Sequence, residues 1–520
     1  MKTFLKTHRL AILVSALVGL IYVLPNLIFI SSTYYRGLPI ISADAESMYL
    51  SRINGVHKGC ILNCNSYIKE YANTYPHFNS SISEVVVALP GILTNVSTIN
   101  LKILYDFVFP AVLFFLVYVL IFRLIENTSL SILGAFLVVF GHNLVNTRVL
   151  LNIPDLVDLL KFKTDHTEFL MFLRPINPQF SSVFFFTFLN IFLSTIQNKN
   201  LKWFFILAIT YGLSFYIYFF TYAFLTVVLG VCILFYLFNK EYRNAILFVG
   251  ATSLGLIIAI PQFIQIFKLF DHEYYSTIPT SFLVYSHLPH ISIIGFILLL
   301  IFIIFTFVIK NKTKTLPVGV CFVSILIVSC FVTRNEHIVS GLIMQYDHFE
   351  SYLFSPILVI AVIFYTHYFL SKNGSPKSNF CVFLICLVII FNASLIQYNS
   401  YNHWLYYSIS SQKYVGVLEW LRTSPSPGSV ISAPGSISGH IPYYTDHYVL
   451  WAGYASEWIY IPERKSDVAF SRTSLSALQS VGEKYNVDYY VEDKKDNLFK
   501  NSGKKPLYED EFFLVYKSGQ

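Results

Sequence analysis

Two carboxylates stand two residues apart in the run Ile41-Ser42-Ala43-Asp44-Ala45-Glu46-Ser47-Met48-Tyr49-Leu50-Ser51-Arg52, shortly after a long apolar stretch. A carboxylate placed there can take a proton from a hydroxyl as a general base. The same two acids also suit a helix start, with Asp44 as cap and Glu46 favourable to the helix dipole. A second group is Arg174-Pro175-Ile176-Asn177-Pro178-Gln179, preceded by Asp165-His166-Thr167-Glu168. A guanidinium at the edge of an apolar segment suits a phosphate through paired, charge-assisted hydrogen bonds. Arg174 can equally snorkel to lipid headgroups, and Asp165 or Glu168 can be its ion-pair partner. A third group runs from Arg334 to Glu350, a dense polar segment between two apolar runs. Arg334 and His348 can bind phosphate or sugar hydroxyls there, or the segment is a solvated connector. A fourth, Ser438-Gly439-His440-Ile441-Pro442-Tyr443-Tyr444-Thr445-Asp446-His447, reads as a binding loop after a strand, with His440 in it.

The elements that must position these groups are mostly apolar. The chain has 520 residues, 55% of them hydrophobic, 18% aromatic and only 12% charged. That composition describes a polytopic membrane protein and not a soluble enzyme with an anchor. About 20 apolar residues are needed to span a bilayer. Eleven runs qualify as spans, at 11–30, 103–122, 131–147, 179–196, 203–218, 221–238, 244–262, 291–309, 316–333, 351–370 and 380–397. The region 203–238 reads either as a broken helix pair or as a re-entrant feature. The first run lacks a small-residue cleavage site and is too long for a signal peptide, so it reads as a retained helix.

Charge separates the loops. Counted with alternating sides, the short loops hold 13 of the 36 Lys/Arg but only two of the 29 Asp/Glu, Glu126 and Glu241. The short side is therefore expected to be cytoplasmic. The long loops 31–102, 148–178, 263–290 and 334–350 and the tail then face outward with nearly all the acids. Within the first of these, Ser83–Leu89 followed by Pro90 and Gly91 reads as a short interfacial helix with a stop signal. The net charge of +7 is topological and gives no reason to invoke nucleic acid.

The sequence predicts two domains, a transmembrane domain over 1–398 with the large first outer loop 31–102, and an extracytoplasmic α/β domain over 399–520. In the tail, Lys413–Arg422 reads as an amphipathic helix, and Ser429–Ala433, Val487–Val491 and Phe512–Tyr516 as strands. Five of the seven Cys lie in apolar runs and read as small hydrophobic filler. Cys60 and Cys64 share the first outer loop and are expected to form a local disulfide in an oxidising compartment. No glycine-rich phosphate loop, nucleophile elbow or His pair at metal-ligand spacing is present. The spans hold few ionisable groups, unlike a proton-coupled transporter.

In order along the chain, these features resemble the GT-C superfamily of polytopic glycosyltransferases, which use polyprenyl-phosphate-linked sugars. The resemblance covers nearly the whole chain. It rests on the acidic motif Ala43-Asp44-Ala45-Glu46 in a large first outer loop, on about eleven helices, and on an outer α/β tail. It also includes Arg174-Pro175-Ile176-Asn177-Pro178-Gln179, the aromatic run Phe215-Tyr216-Ile217-Tyr218-Phe219-Phe220, and the Gly341/Gln345/His348 loop. The resemblance implies a bacterial inner-membrane enzyme with its active site outside. It would move a sugar with inversion from a polyprenyl-phosphate donor to a glycan or lipid acceptor of the cell envelope, as in lipopolysaccharide O-antigen modification. It implies Asp44 as base, with Glu46 the alternate. Donor phosphate and substrate would be held by Arg174, Arg334, His348, Gln345, Tyr218 and His440. The strict Asp-x-Asp pattern is absent, since the second acid is Glu46, so no metal site is assigned and use of a divalent metal stays open. Two further enzyme classes use lipid-linked glycans, O-antigen polymerases and ligases, but they rely on outer loops rich in Arg. A flippase or exporter would call for intramembrane charge pairs or a repeat. A structural protein would use the tail as a docking module.

Overall fold

A computed structural model describes all residues except Met1, 42–43, 62–64, 73–81, 142–167, 271–282, 290–292, 311–316, 345, 372–377, 454–461 and 520. The principal helices are α1 (Lys2–Ile30), α2 (Asp44–His57), α3 (Ile82–Thr94), α4 (Thr98–Ile125), α5 (Thr128–Phe140), α6 (Gln179–Asn198), α7 (Leu201–Ser214), α8 (Phe219–Phe238) and α9 (Tyr242–Phe270). They continue as α10 (Ile293–Lys310), α11 (Val318–Arg334), α12 (Ser355–Ser371), α13 (Ser378–Ser411), α14 (Val415–Thr423), α15 (Pro462–Ser471) and α16 (Leu475–Lys484). Each of the eleven expected spans overlaps one of these helices, and the end of 131–147 lies outside the described residues. Among the described residues, eight helical stretches are long and apolar enough to cross a membrane; α5 and α7, at 13 and 14 residues, are shorter. The outer faces of the long helices are apolar, as at Leu13, Ile246, Ile257, Phe383 and Val388, which suits contact with hydrocarbon. The chain is a multi-pass helical membrane protein.

The segment 203–238 resolves into two helices. α7 ends at Ser214, Phe215–Ile217 turn, and α8 begins after the extended Tyr218. α7 and α9 approach closely because neither backbone carries a Cβ at the crossing. A Cβ on Gly212 would lie 2.8 Å from the Gly255 carbonyl oxygen, and one on Gly255 would lie 2.4 Å from the Tyr211 ring. This small-residue contact is the kind that drives helix association in lipid.

The described chain divides into two compact units. Unit 1 comprises Met1–Val23, Tyr105–Phe263 and Thr280–Ser400 and holds most of the spans. Its buried interior is aromatic, with Phe114, Phe185, Phe186, Phe188, Phe192 and Phe322 all fully buried. At one end of unit 1, Arg123 donates to the Asn190 carbonyl (2.8 Å), to Ser194 Oγ (2.8 Å) and to Gln197 Oε1 (2.7 Å). Lys199 pairs with Glu241 at 2.9 Å at that same end of α6. Three of the short charged turns that the Lys/Arg count assigns to one side, at 123–130, 197–202 and 239–243, thus lie at one end of α6.

Unit 2 comprises Leu24–Leu104, Ile264–Pro279 and Tyr401–Gln520, so the first long loop and the tail form one body. The Gln412 side chain accepts from Arg36 N–H (2.9 Å) and donates to the Leu38 carbonyl (2.9 Å). Asn54 donates to the carbonyls of Pro442 and Thr445, each at 2.9 Å. Arg464, almost fully buried and stacked on Tyr485, pairs with Glu70 at 2.9 Å. The tail sheet is built from β3 (Val430–Ser432), β4 (Tyr448–Val449), β5 (Tyr489–Asp493), β6 (Tyr508–Glu509) and β7 (Phe513–Lys517). The two short strands β1 (Leu283–Tyr285) and β2 (Leu342–Met344) pair with each other in unit 1. The sheet order is β4-β3-β5-β7-β6, with β3 parallel to β4 and β5, and β7 antiparallel to β5 and β6. Edge strand β4 is covered, since Val449 N–H donates to the Tyr67 carbonyl at 2.8 Å. The core under the sheet packs Leu478 and Val481 of α16 on Val430, Tyr490, Leu514 and Tyr516. α16 starts where Ser474 Oγ accepts from Ala477 N–H.

α3 corrects one expectation. The helix does not stop at Pro90 but runs through it to Thr94. Proline removes one ladder hydrogen bond and bends a helix without necessarily ending it. Tight packing holds the following turn, where a Cβ on Gly91 would lie 2.6 Å from Leu101. Cys60 is disulfide-bonded, and Cys232, Cys321, Cys330, Cys381 and Cys386 are free. Cys64 lies outside the described residues.

Candidate active site

In unit 1 the polar groups gather at the N-terminal end of α6, opposite the Arg123 end. The segment Arg174–Gln179 is folded tightly on itself. Asn177 N–H donates to the Pro175 carbonyl at 2.8 Å around Ile176, whose φ of 63° is unusual for a β-branched residue. Such a conformation persists only where the surroundings fix it, and it concentrates at functional sites. Ile176 is buried, Ser181 N–H donates to its carbonyl at 2.9 Å, and Gln179 Nε2 donates to the Phe172 carbonyl at 3.1 Å. The turn aims Arg174, whose Nε donates to the Asn177 carbonyl at 2.6 Å and whose Nη2 donates to the Tyr352 hydroxyl at 3.0 Å. Arg174 itself is half-buried.

Tyr352 reaches Arg174 from a π-helical turn, Glu350–Phe354, at the start of α12. π turns re-aim side chains and recur at functional sites. The same turn presents Glu350, which pairs with the buried Arg334 at 3.0 Å. Arg334 ends α11, where a cation complements the helix dipole. His348 shares a hydrogen bond through Nδ1 with the Tyr218 hydroxyl, and its ring lies edge-on to Tyr352 at 5.3 Å and against Phe220 at 4.7 Å. Tyr218 is available because α8 starts just after it. Gly341, at φ 74°, turns the chain into β2 where a Cβ would lie 2.8 Å from the His287 ring. Arg174, Arg334, His348 and Tyr218, far apart in sequence, thus converge with Tyr352 and Glu350 at one end of unit 1. Gln345 lies outside the described residues.

In unit 2, Asp44 is the first residue of α2; its side chain lies outside the described residues, as do Asp165 and His166. Glu46, one half-turn on, is buried and pairs with the fully buried Lys102 at 2.9 Å. On the next turns Arg52 pairs with Glu84 at 2.7 Å. Burial pushes the Glu84 carboxyl up, and Arg52 opposes that shift. His440 lies against Tyr414 (5.2 Å between ring centroids) and hydrogen-bonds Tyr443 through Nδ1. Burial lowers its imidazole to about 4, so it is neutral at physiological pH and packs as part of the body of unit 2. Among the described residues no three His, Cys, Asp or Glu side chains are placed to hold a metal ion.

The residues that sequence reasoning missed are Tyr352, Glu350 and Lys102. Tyr352 falls inside an expected span, and a π turn has no sequence pattern. The polar start Glu350-Ser351-Tyr352 of an otherwise apolar run was the available signal. Lys102 was assigned to a loop end, yet an intramembrane-edge lysine that is fully buried needs a carboxylate partner.

Fold and site define a multi-pass helical membrane protein with a small α/β tail and a guanidinium-centred polar cluster at one end of its helices. No family model and no curated protein matches the chain. Solved structures of the Archaeoglobus fulgidus oligosaccharyltransferase are similar to it. The apo form shows 12% identity over 94% of this chain and 69% of that one, with a TM-score of 0.47. A complex with Zn and sulfate gives 12% identity, 93% and 68% coverage and a TM-score of 0.48. The archaeal enzyme AglB in complex with an inhibitory peptide and a dolichol-phosphate gives 12%, 94%, 70% and 0.45.

Proposed function

We propose that this protein is an inverting glycosyltransferase that moves a sugar from a polyprenyl-phosphate-linked donor to a glycan or lipid acceptor of the cell envelope, on the outer face of a bacterial inner membrane. The observation that carries the reading is Arg174, held by the Asn177 carbonyl and the Tyr352 hydroxyl beside the His348–Tyr218 pair. A permanent, oriented cation at the end of lipid-facing helices suits a phosphate whose hydrocarbon tail lies in the bilayer.

In the chemical step the acceptor hydroxyl oxygen bonds to the anomeric carbon as its proton passes to the Asp44 carboxylate. The anomeric C–O bond to phosphate breaks on the opposite face, and polyprenyl phosphate leaves with the electron pair. Phosphate is already a good leaving group, so its developing charge needs only a cation such as Arg174. Single displacement inverts the anomeric centre. Glu46 is engaged by Lys102, which favours Asp44 as the base.

Comparing cell-surface glycans by mass spectrometry in strains with and without the gene tests the reading. Loss of a defined sugar, restored by the wild-type gene but not by Arg174→Lys at equal protein level, is the expected outcome. Unchanged glycans would overturn it.

A further inference from the structure

A polar cavity lies in unit 2, lined by Gly55, Lys58, Gly59 and Cys60 at the end of α2, by Asn65, Ser66 and Ala72, and by Tyr448 of β4. Its volume is about 120 Å³, room for about four waters. Its lining is rich in donors. Lys58 offers N–H donors only; one contact runs to the Pro442 carbonyl at 3.3 Å, and the ammonium lies 5.7 Å from the Tyr448 ring centroid. Asn65 has its Oδ1 committed to the N–H groups of Tyr67 (2.7 Å) and Ile68 (2.8 Å), so what remains is its NH₂. Ser66 is 5% exposed, and its hydroxyl has no hydrogen-bond partner. An orphaned buried hydroxyl is costly unless something occupies it.

We propose that this cavity is a binding site for an oxyanion, the carboxylate or phosphate group of a small ligand, with Lys58, Asn65 and Ser66 as its donors and the Tyr448 ring as its wall. The Lys58 ammonium and the Asn65 NH₂ can only donate, and the Ser66 hydroxyl can donate as well, which suits a group that only accepts. Burial holds the Lys58 ammonium down to about 8, with nearby Asp446 offsetting only part of the desolvation; a bound anion would supply the missing charge. The absence of a side chain at Gly55 keeps the space open, since a Cβ there would already touch Ser66 and Cys60 at 3.5 and 3.8 Å. The proposal does not depend on the glycosyl-transfer reading.

The test uses the full-length protein in detergent with two probes, inorganic phosphate followed by ³¹P line broadening and glucuronate followed by saturation-transfer NMR. Phosphate alone binding identifies a free or esterified phosphate; glucuronate alone identifies an acidic sugar. Either should weaken about tenfold with Ser66→Ala, a change that leaves no partner stranded, and with Lys58→Met. Gly55→Val should block it by filling the space. The proposal falls if neither probe binds, or if binding is the same in all three variants.

Discussion

Lys102 distinguishes the two acids of the first outer loop, Asp44 and Glu46. Because it holds Glu46 in a buried pair, removing either partner strands a charge, at a cost of about 3–5 kcal/mol. Glu46→Gln is therefore expected to lower the melting temperature of the detergent-solubilised protein more than it lowers turnover. Asp44→Asn should do the opposite, leaving melting near wild type while transfer by purified protein drops on the order of 100-fold. Near-normal transfer by Asp44→Asn would remove it from the mechanism. Lys58 gives a pH signature of its own. Its folded value of about 8 lies below the ordinary 10.5, so between those two values the folded chain binds fewer protons than the unfolded one. Stability contributed by this residue must rise as pH climbs through that window. Melting curves from pH 7.5 to 10.5 should show a slope that Lys58→Met reduces. That Arg174 and His348 belong to polar clusters was legible in the sequence, and the structure brings both beside Tyr352. Tyr352 and Lys102 were not legible, because each acquires its role only from what is packed beside it.

At the level of elements, apolar run length located the eleven helical segments, and the interruption near Tyr218 proved to be a true break. In the tail, the strand around 487–491 lies two residues further on, as β5, since Val487 packs in the core before the ladder begins. Two-residue strands such as β4 and β6 are too short to leave a periodic pattern. Proline misled at α3 because the tolerance of a helix for it is decided by neighbours, here around Gly91. The α7–α9 crossing offers a sharp test. Gly255→Leu would drive a side chain into Tyr211 and the Ala208 carbonyl, an overpacking cost of roughly 1–3 kcal/mol. A lowered melting temperature is expected; an unchanged one would mean the two helices do not meet there.

For the molecule as a whole, the Lys/Arg count agrees with the contacts of the described turns of unit 1. Turns 197–202 and 239–243 meet through Lys199 and Glu241, and at the other end of α6 Arg174 of loop 148–178 bonds Tyr352, just past loop 334–350. Which end faces out follows from the positive-inside rule, and labelling decides it. Lys69 and Asn501 are exposed, whereas Ser66 is buried and unsuited to a label. Cysteines placed at Lys69 and Asn501 should both react with a membrane-impermeant maleimide in intact cells with a permeabilised outer membrane. Protection of either would overturn the orientation. That the first long loop and the tail form one body was not legible, because the ties through Gln412, Asn54 and Arg464 join residues more than 300 positions apart.

That joining has a consequence for biogenesis. Leu38, Ile40 and Tyr67 of the first loop are buried, and their surroundings include a tail made last. At roughly 5–20 residues per second of synthesis, the loop must wait tens of seconds or more, half-dressed, while the intervening spans are made. During that interval it is a natural client for chaperones and a target for proteases. A chain stopped at Ser400 would hold it in that state permanently. Such a truncation should be cleared from cells rapidly, and supplying residues 401–520 as a separate exported polypeptide should lengthen its half-life in a pulse-chase experiment.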